Sequence, residues 1–361
     1  MRVGIVSIYD NGNIGNKLQN YALQSVLGQY AEEVLTIKNR PILKNLLRYW
    51  KCHSGLAESF FWNRLTGNDR KVELLSFDKA HIVSSKYFYY HNLPKVFVRK
   101  QDQCDIYCAG SDQNWNPYFG RKESFNYLGF VDSSRTFSYA ASFGIDQIPS
   151  QYRESVRTGL QHIRYLSVRE EAGKRIVEEL TGRTDIQVLV DPTMLLTTQE
   201  WDRVAEKPKA ELPEKYILTY FLGTVSSERR AVINRRAEDL GCALVELMDP
   251  NSPFYAIGPG AFVYLIKHAT AVCTDSFHAS VFSFLYERPL AILSRQDKAG
   301  NMSSRLDTLV NKFSLQNCIV NGDMLSELPA RADYSAGYAA LATEREKSKV
   351  FLDRVFDRTG A

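Results

Sequence analysis

Apolar positions along the chain alternate between short unbroken runs and longer stretches with helical spacing. Residues 3–8, 34–37, 104–108, 136–140, 165–168 and 187–190 are short runs rich in β-branched and aromatic side chains, and they read as strands. Between the first two, Leu18, Tyr21, Ala22 and Val26 recur on one face, which predicts a helix from about Lys17 to Gln29 packed on a sheet. The second half repeats the alternation with a strand over 216–221, a helix near 226–240, a strand over 243–247, a Gly258-Pro259-Gly260 turn and a helix ending at His268. Ala271-Val272-Cys273 then closes a buried strand, residues 279–286 form an apolar helix, and Pro289 precedes the strand Leu290-Ala291-Ile292-Leu293. Residues 338–358 read as a long helix. Strands alternating with helices in this way need crossover connections, so the pattern predicts an α/β protein with mainly parallel sheets covered by helices.

A length of 361 residues exceeds what one simple core accommodates and suits two domains. Residues 206–215 are charged, carry Pro208 and Pro213 and lack apolar periodicity, so they are the expected linker. The expected division is a first domain over 1–207, a second over 208–335 and a C-terminal helical segment over 336–361.

Composition narrows the partners. Lys and Arg number 45 against 41 Asp and Glu, a formal net charge of +4 that argues for anionic ligands in a pocket, or a loose association with an acidic membrane, more than for a nucleic-acid stripe. The cysteines, 52, 104, 108, 242, 273 and 318, form no CxxC pair, and several lie in apolar strands, as expected of buried thiols in a reducing compartment. The chain starts directly with a strand and no apolar run reaches membrane-spanning length, so no signal peptide and a cytoplasmic location are expected. One stretch departs from the pattern. Residues 38–51 (KNRPILKNLLRYWK) mix basic side chains with Ile42, Leu43, Leu46, Leu47, Tyr49 and Trp50, and Phe60-Phe61-Trp62 follow. Residues 38–62 are either an interfacial helix in peripheral contact with the inner face of a membrane or an excursion packed on their own domain.

Chemistry-bearing residues collect where strands give way to helices, the edge at which open α/β sheets bind ligands. Asp10-Asn11-Gly12-Asn13-Ile14-Gly15-Asn16 follows the first strand. Its asparagines, Asn13 and Asn16 among them, carry donors and acceptors suited to hydroxyls, but it is neither GxGxxG nor a GK[ST] phosphate loop. After the third strand comes Gly110-Ser111-Asp112-Gln113-Asn114-Trp115-Asn116. There Asp112 is a candidate general base or hydroxyl acceptor and Trp115 a stacking platform for a pyranose, against the alternative of an Asx-turn over a buried tryptophan. Arg169 in Ser167-Val168-Arg169-Glu170 presents a planar fork for carboxylate or phosphate, or else pairs with a neighbouring glutamate. Asp191-Pro192-Thr193 reads as a structural turn. Thr274-Asp275-Ser276-Phe277-His278 lies between an apolar strand and an apolar helix, where Asp275 or Ser276 caps the helix, its first N–H groups suit an anion, and His278 is a candidate proton carrier. Arg305 offers a second positive group. No HExxH, Cys/His cluster or histidine pair has metal-ligand spacing, so no metal is expected.

Taken together, GNIGNKLQNYAL, AGSDQNWN, SYAASFG, SVRE, VDPTMLL, TDSFHASVFSFLYERP and the later SSR resemble, in order and over most of the chain, the polysaccharide pyruvyl transferase family. The resemblance implies a GT-B-like fold, with two Rossmann-like domains facing across a cleft and a C-terminal helix returning toward the first. It also implies transfer of pyruvate from phosphoenolpyruvate, as co-substrate and without other cofactor, to a sugar of a surface polysaccharide or its polyprenyl-linked precursor, forming a cyclic ketal. Some members carry an Arg-Leu-His motif where this chain has Ser276-Phe277-His278. On this comparison His278 and Asp112 are the expected acid and base. Arg169, Ser276, Arg305 and Asp275 are expected to bind the donor, and Asn13, Asn16, Ser111, Gln113 and Trp115 the acceptor. The alternatives are a GT-B glycosyltransferase using a nucleotide sugar and a non-catalytic glycan-binding protein.

Overall fold

The computed structural model describes residues 1–8, 13–38, 69–85, 103–119, 124–295, 304–320 and 333–357. The basic aromatic stretch, apart from Lys38, and Asp10, Asn11 and Gly12 lie outside these residues. Two compact units are present: Met1–Leu195 with Glu346–Ala361, and Leu196–Arg345.

The first unit runs β1 (Arg2–Val6), α1 (Ile14–Leu27), β2 (Glu33–Thr36), α2 (Asp69–His81), β3 (Ile106–Ala109), β4 (Thr136–Ser138), α3 (Arg153–His162), β5 (Ser167–Val168), α4 (Glu171–Thr181) and β6 (Gln187–Val188). The second runs α5 (Thr198–Asp202), β7 (Tyr216–Tyr220), α6 (Ser227–Asp239), β8 (Ala243–Glu246), α7 (Pro259–His268), β9 (Ala271–Thr274), α8 (Phe277–Leu285), β10 (Leu290–Leu293), α9 (Ser304–Lys312) and β11 (Ile319–Val320). Helix α10 (Ser335–Val355) starts in the second unit and finishes in the first.

The strands pair in parallel, as the alternation predicts. In the first unit their order is β2-β1-β3-β4, and β1 is central, with Val3 opposite both Val34 and Ile106. The chain leaves β1 for β2 on one side and β3 for β4 on the other, so the winding reverses between β1 and β3. The second unit has the order β11-β10-β9-β7-β8, with the reversal between β7 and β9. Loops diverge above the strand ends at such a switch point, and the crevice that opens there is where this sheet type binds ligands.

Core formation follows the predicted faces. On α1, Leu18, Ala22 and Val26 are buried, while Tyr21 is half-buried against Phe77 of α2. In the second unit Ile233 and Ala237 of α6 pack with Ile217, Ala271, Cys273, Ala291 and Leu293 from three neighbouring strands. Burying an aliphatic side chain of this size stabilises by roughly 1.5–3 kcal/mol. Helix α8 is buried along its whole length. Its two interior hydroxyls are satisfied locally, Ser280 donating to the Ser276 carbonyl at 2.9 Å and Ser283 to the Ala279 carbonyl at 2.8 Å. At its other end the Tyr338 hydroxyl donates to the Leu285 carbonyl at 2.7 Å.

Residues 196–205 group with the second unit, ahead of the charged segment expected to be the linker. The physical reason is Trp201, which is fully buried with its ring edge-on to Phe282 at 4.8 Å, and the Glu206 N–H, which donates to the Gly260 carbonyl at 3.1 Å. Inside the first unit, the end of α10 is tied down by Tyr30, whose hydroxyl donates to Asp353 at 3.0 Å and whose ring stacks on Phe356 at 4.9 Å. Among the described residues no helix is long and apolar enough to cross a membrane.

Candidate functional site

Each switch point carries a buried polar cluster. In the second unit Thr274 ends β9, its hydroxyl donating to the Tyr220 carbonyl at 2.5 Å and accepting from the Ser276 N–H at 3.0 Å. This turn sets Ser276 as the N-cap of α8, its hydroxyl accepting from the Ala279 N–H at 3.5 Å. His278 follows in the first helical turn, 6% exposed, with its ring edge-on to Phe277 at 5.3 Å. The helix start therefore holds an imidazole beside N–H groups that favour negative charge.

Asp275, expected on the donor side, ties two loops together. Its two carboxylate oxygens accept the backbone N–H groups of Leu222 at 2.7 Å and Gly223 at 2.8 Å, and Arg295 Nε lies 3.5 Å away. The carboxylate thus straps the loop after β7 to the loop after β9 across the switch point. Both carboxylate oxygens of Asp275 are thus engaged within its own unit. Arg305 lies in the first turn of α9, half-buried.

In the first unit Arg169 follows β5 and is buried between two carboxylates, 2.6 Å from Asp191 and 3.3 Å from Asp112. Burial alone would lower its pKa, but Asp191, Asp112 and Glu170 outweigh it and raise the pKa, so the group stays a cation. Its charge is thus met by carboxylates inside its own unit. Asp191 accepts further hydrogen bonds from the Ser111 hydroxyl at 3.1 Å and from the Thr193 N–H and hydroxyl at 3.0 and 2.7 Å. The turn at Asp191 is therefore also the anchor of the cluster. Asp112 is buried and has φ +67°, a left-handed backbone that is uncommon outside glycine and persists where surrounding structure enforces it.

Several expected acceptor residues have other work. Trp115 is fully buried, stacked on Tyr127 at 5.3 Å with an interplanar angle of 13° and tilted against Phe143, and its indole N–H donates to the Asn126 carbonyl at 3.1 Å. It is packed as a core residue. Ser111 is fully buried, its hydroxyl shared between the Ala140 carbonyl and Asp191. Asn13 caps α1, accepting from the Gly15 N–H at 2.8 Å. The Gln113 side chain fills the space where any Cβ on Gly144 would stand, and Gly144 itself has φ +66°. A side chain at Gly144 is excluded on both counts.

Three amides meet at the first switch point, two of which the sequence patterns did not single out. Gln19 Nε2 donates to the Ser7 hydroxyl at 2.9 Å and the Asn16 carbonyl at 3.1 Å, and Asn114 Nδ2 donates to the Val6 carbonyl at 3.1 Å. The side-chain oxygens of Asn16, Gln19 and Asn114 are buried and have no hydrogen-bond partner among the described residues. A buried acceptor without a donor costs roughly 1–3 kcal/mol, so the cluster is built for a partner that brings O–H or N–H groups. Gln19 within a helical pattern and Asn114 within a loop give no sequence signal of this. Among the described residues no group of three or more His, Cys, Asp or Glu is arranged to hold a metal ion.

Comparison with solved structures finds the same architecture in two sugar-nucleotide enzymes. The UDP-GlcNAc 2-epimerase of Neisseria meningitidis, bound to UDP-GlcNAc, aligns with a TM-score of 0.52 at 10% identity over 97% of this chain and 100% of that one. The UDP-N-acetylglucosamine 2-epimerase of Rickettsia bellii gives 0.51 at 10% identity over 99% and 97%. At such identities the likeness is one of fold, which is GT-B-like. No curated protein matches in sequence. The family model for polysaccharide pyruvyl transferase matches residues 13–297, the span that holds β3, the Arg169–Asp191 cluster and the His278 helix start, and the chain belongs to that family.

Proposed function

We propose that this member of the family moves pyruvate from phosphoenolpyruvate to two hydroxyls of one sugar, closing a cyclic ketal on a surface polysaccharide or its lipid-linked precursor. The observation that carries the proposal is the presence of two polar clusters, each at the switch point of its own unit. One is a helix start bearing Ser276 and His278, suited to an anionic donor, and the other is a set of three unsatisfied amide acceptors, suited to sugar hydroxyls.

His278 supplies a proton to C3 of the enol, which makes C2 electrophilic. One sugar hydroxyl adds to C2 and loses its proton to Asp112, whose carboxylate lies 3.3 Å from Arg169. Phosphate then departs with the electron pair of the C2–O bond, the second hydroxyl takes its place, and that hydroxyl's proton leaves with the phosphate. Two hydroxyl protons are lost, one replacing the proton given to C3 and one carried by phosphate, so the cycle closes without a redox step. Asn16, Gln19 and Asn114 accept from acceptor hydroxyls, and the Ser276 cap with the opening N–H groups of α8 receives a donor anion.

Thermal shift separates this from transfer of a sugar from a nucleotide. Phosphoenolpyruvate is expected to raise the melting temperature and a panel of UDP-sugars to leave it unchanged. Stabilisation by a UDP-sugar without stabilisation by phosphoenolpyruvate overturns the proposal.

A further inference from the structure

We propose that Arg229 and Arg295 form the anion clamp for the donor, supplying the positive charge that Ser276 does not. The inference rests on phosphoenolpyruvate being the donor and names the residues that hold it.

Arg229 lies in the first turn of α6, only 3% exposed. Its Nη1 donates to the carbonyl of Ser294 at 2.9 Å, while its Nε is buried without a hydrogen-bond partner among the described residues. Among the described residues no carboxylate lies within ion-pair distance of it. The adjacent Glu228 carboxylate accepts instead from the Ser227 hydroxyl at 3.0 Å. A buried guanidinium lacking a counter-charge is among the most costly arrangements a core can contain, and here the positive end of the α6 dipole adds to the cost. An anionic ligand resolves both. Arg169, by contrast, has two carboxylates beside it.

The carbonyl that Arg229 holds belongs to the residue before Arg295. Arg295 follows β10 and keeps 23% of its side chain exposed while its Nε lies 3.5 Å from Asp275 Oδ2. Asp275 in turn is fixed by the Leu222 and Gly223 N–H groups, next in sequence to the Ser276 cap. Arg229, Ser294, Arg295, Asp275 and Ser276 thus form one connected chain along the carboxyl edge of the second sheet. Arg295 contributes a partly exposed guanidinium to this chain and Arg229 a buried one. Two cations match the phosphate and carboxylate of phosphoenolpyruvate, and arginine's fork suits either group. Asp275 acts as a positioning residue that orients Arg295.

The test uses the full chain with phosphoenolpyruvate as probe, read by calorimetric titration and by melting temperature, for wild type, Arg229→Met, Arg295→Gln and Arg295→Lys. Wild type is expected to bind, Arg295→Gln to weaken binding tenfold or more, and Arg295→Lys to recover part of the loss, with acceptor KM unchanged in both. Arg229→Met is expected to melt no lower than wild type without ligand, because it removes an uncompensated charge, yet to lose the rise that phosphoenolpyruvate gives wild type. An Arg229→Met protein that melts lower and keeps the full rise, or an Arg295→Gln protein that binds as wild type does, overturns the clamp and leaves the donor intact. Failure of wild type itself to bind phosphoenolpyruvate overturns the donor and the clamp together.

Discussion

The Nη1 of Arg169 lies 2.6 Å from Oδ2 of Asp191, and both side chains are closed off from solvent. Burying the two charges is repaid only because Asp112, Ser111 and Thr193 complete the network. Removing one partner strands the other, so Asp191→Ala is expected to destabilise the first unit by about 3–5 kcal/mol. Urea unfolding followed by circular dichroism measures this; a loss below about 1 kcal/mol, the range of an exposed pair, would show the network to be solvated.

Trp115 gives a prediction opposite to the one its sequence context suggests. Trp115→Ala should cost about 3–5 kcal/mol as a core cavity. Trp115→Phe keeps the stack on Tyr127 and should leave acceptor KM within about twofold of wild type. A large rise in acceptor KM with unchanged stability would return the residue to the sugar site.

These two cases mark what the sequence made legible. Strand and helix existence was readable because apolar periodicity reflects burial directly, as with Leu18, Ala22 and Val26 on α1. The helix start at Ser276 was readable because capping chemistry is local in sequence. What could not be read were long-range satisfactions. Nothing near Trp115 announces Tyr127 and Asn126, nothing near Asp275 announces the Leu222 and Gly223 N–H groups, and nothing near Arg229 announces Ser294, 65 residues away. The trace of Asp191 as an anchor was its proline turn, read as structural for its local geometry alone.

Thiol reactivity follows burial. Burial pushes the Cys273 thiol up to about 12 and raises those of Cys108 and Cys318, whereas Cys242 is half-exposed. Iodoacetamide at pH 8 on the folded protein should label Cys242 well before Cys104, Cys108 or Cys273, with peptide mass spectrometry as the readout. Early labelling of Cys273 would mean that the β9 core opens readily.

Acid should weaken the second unit partly through His268. It ends α7, where the helix dipole favours protonation, but burial first, then Lys267 and Arg288, hold its pKa below 6.5. The unfolded chain therefore takes up the proton at higher pH than the folded one. The stability from neutral His268 is present above about pH 6.5 and lost as pH falls through the folded value. Chemical denaturation at pH 8, 6.5 and 5 should show wild type losing more stability than His268→Gln; equal losses would contradict the assignment.

Mass spectrometry of candidate oligosaccharide acceptors incubated with phosphoenolpyruvate tests pyruvyl transfer itself. The expected result is a pyruvate ketal on the sugar with one inorganic phosphate released per ketal, and turnover lowered by about 10² or more in His278→Ala and in Asp112→Ala. Intact phosphoenolpyruvate alongside an acceptor that has gained a sugar from a nucleotide donor would contradict it.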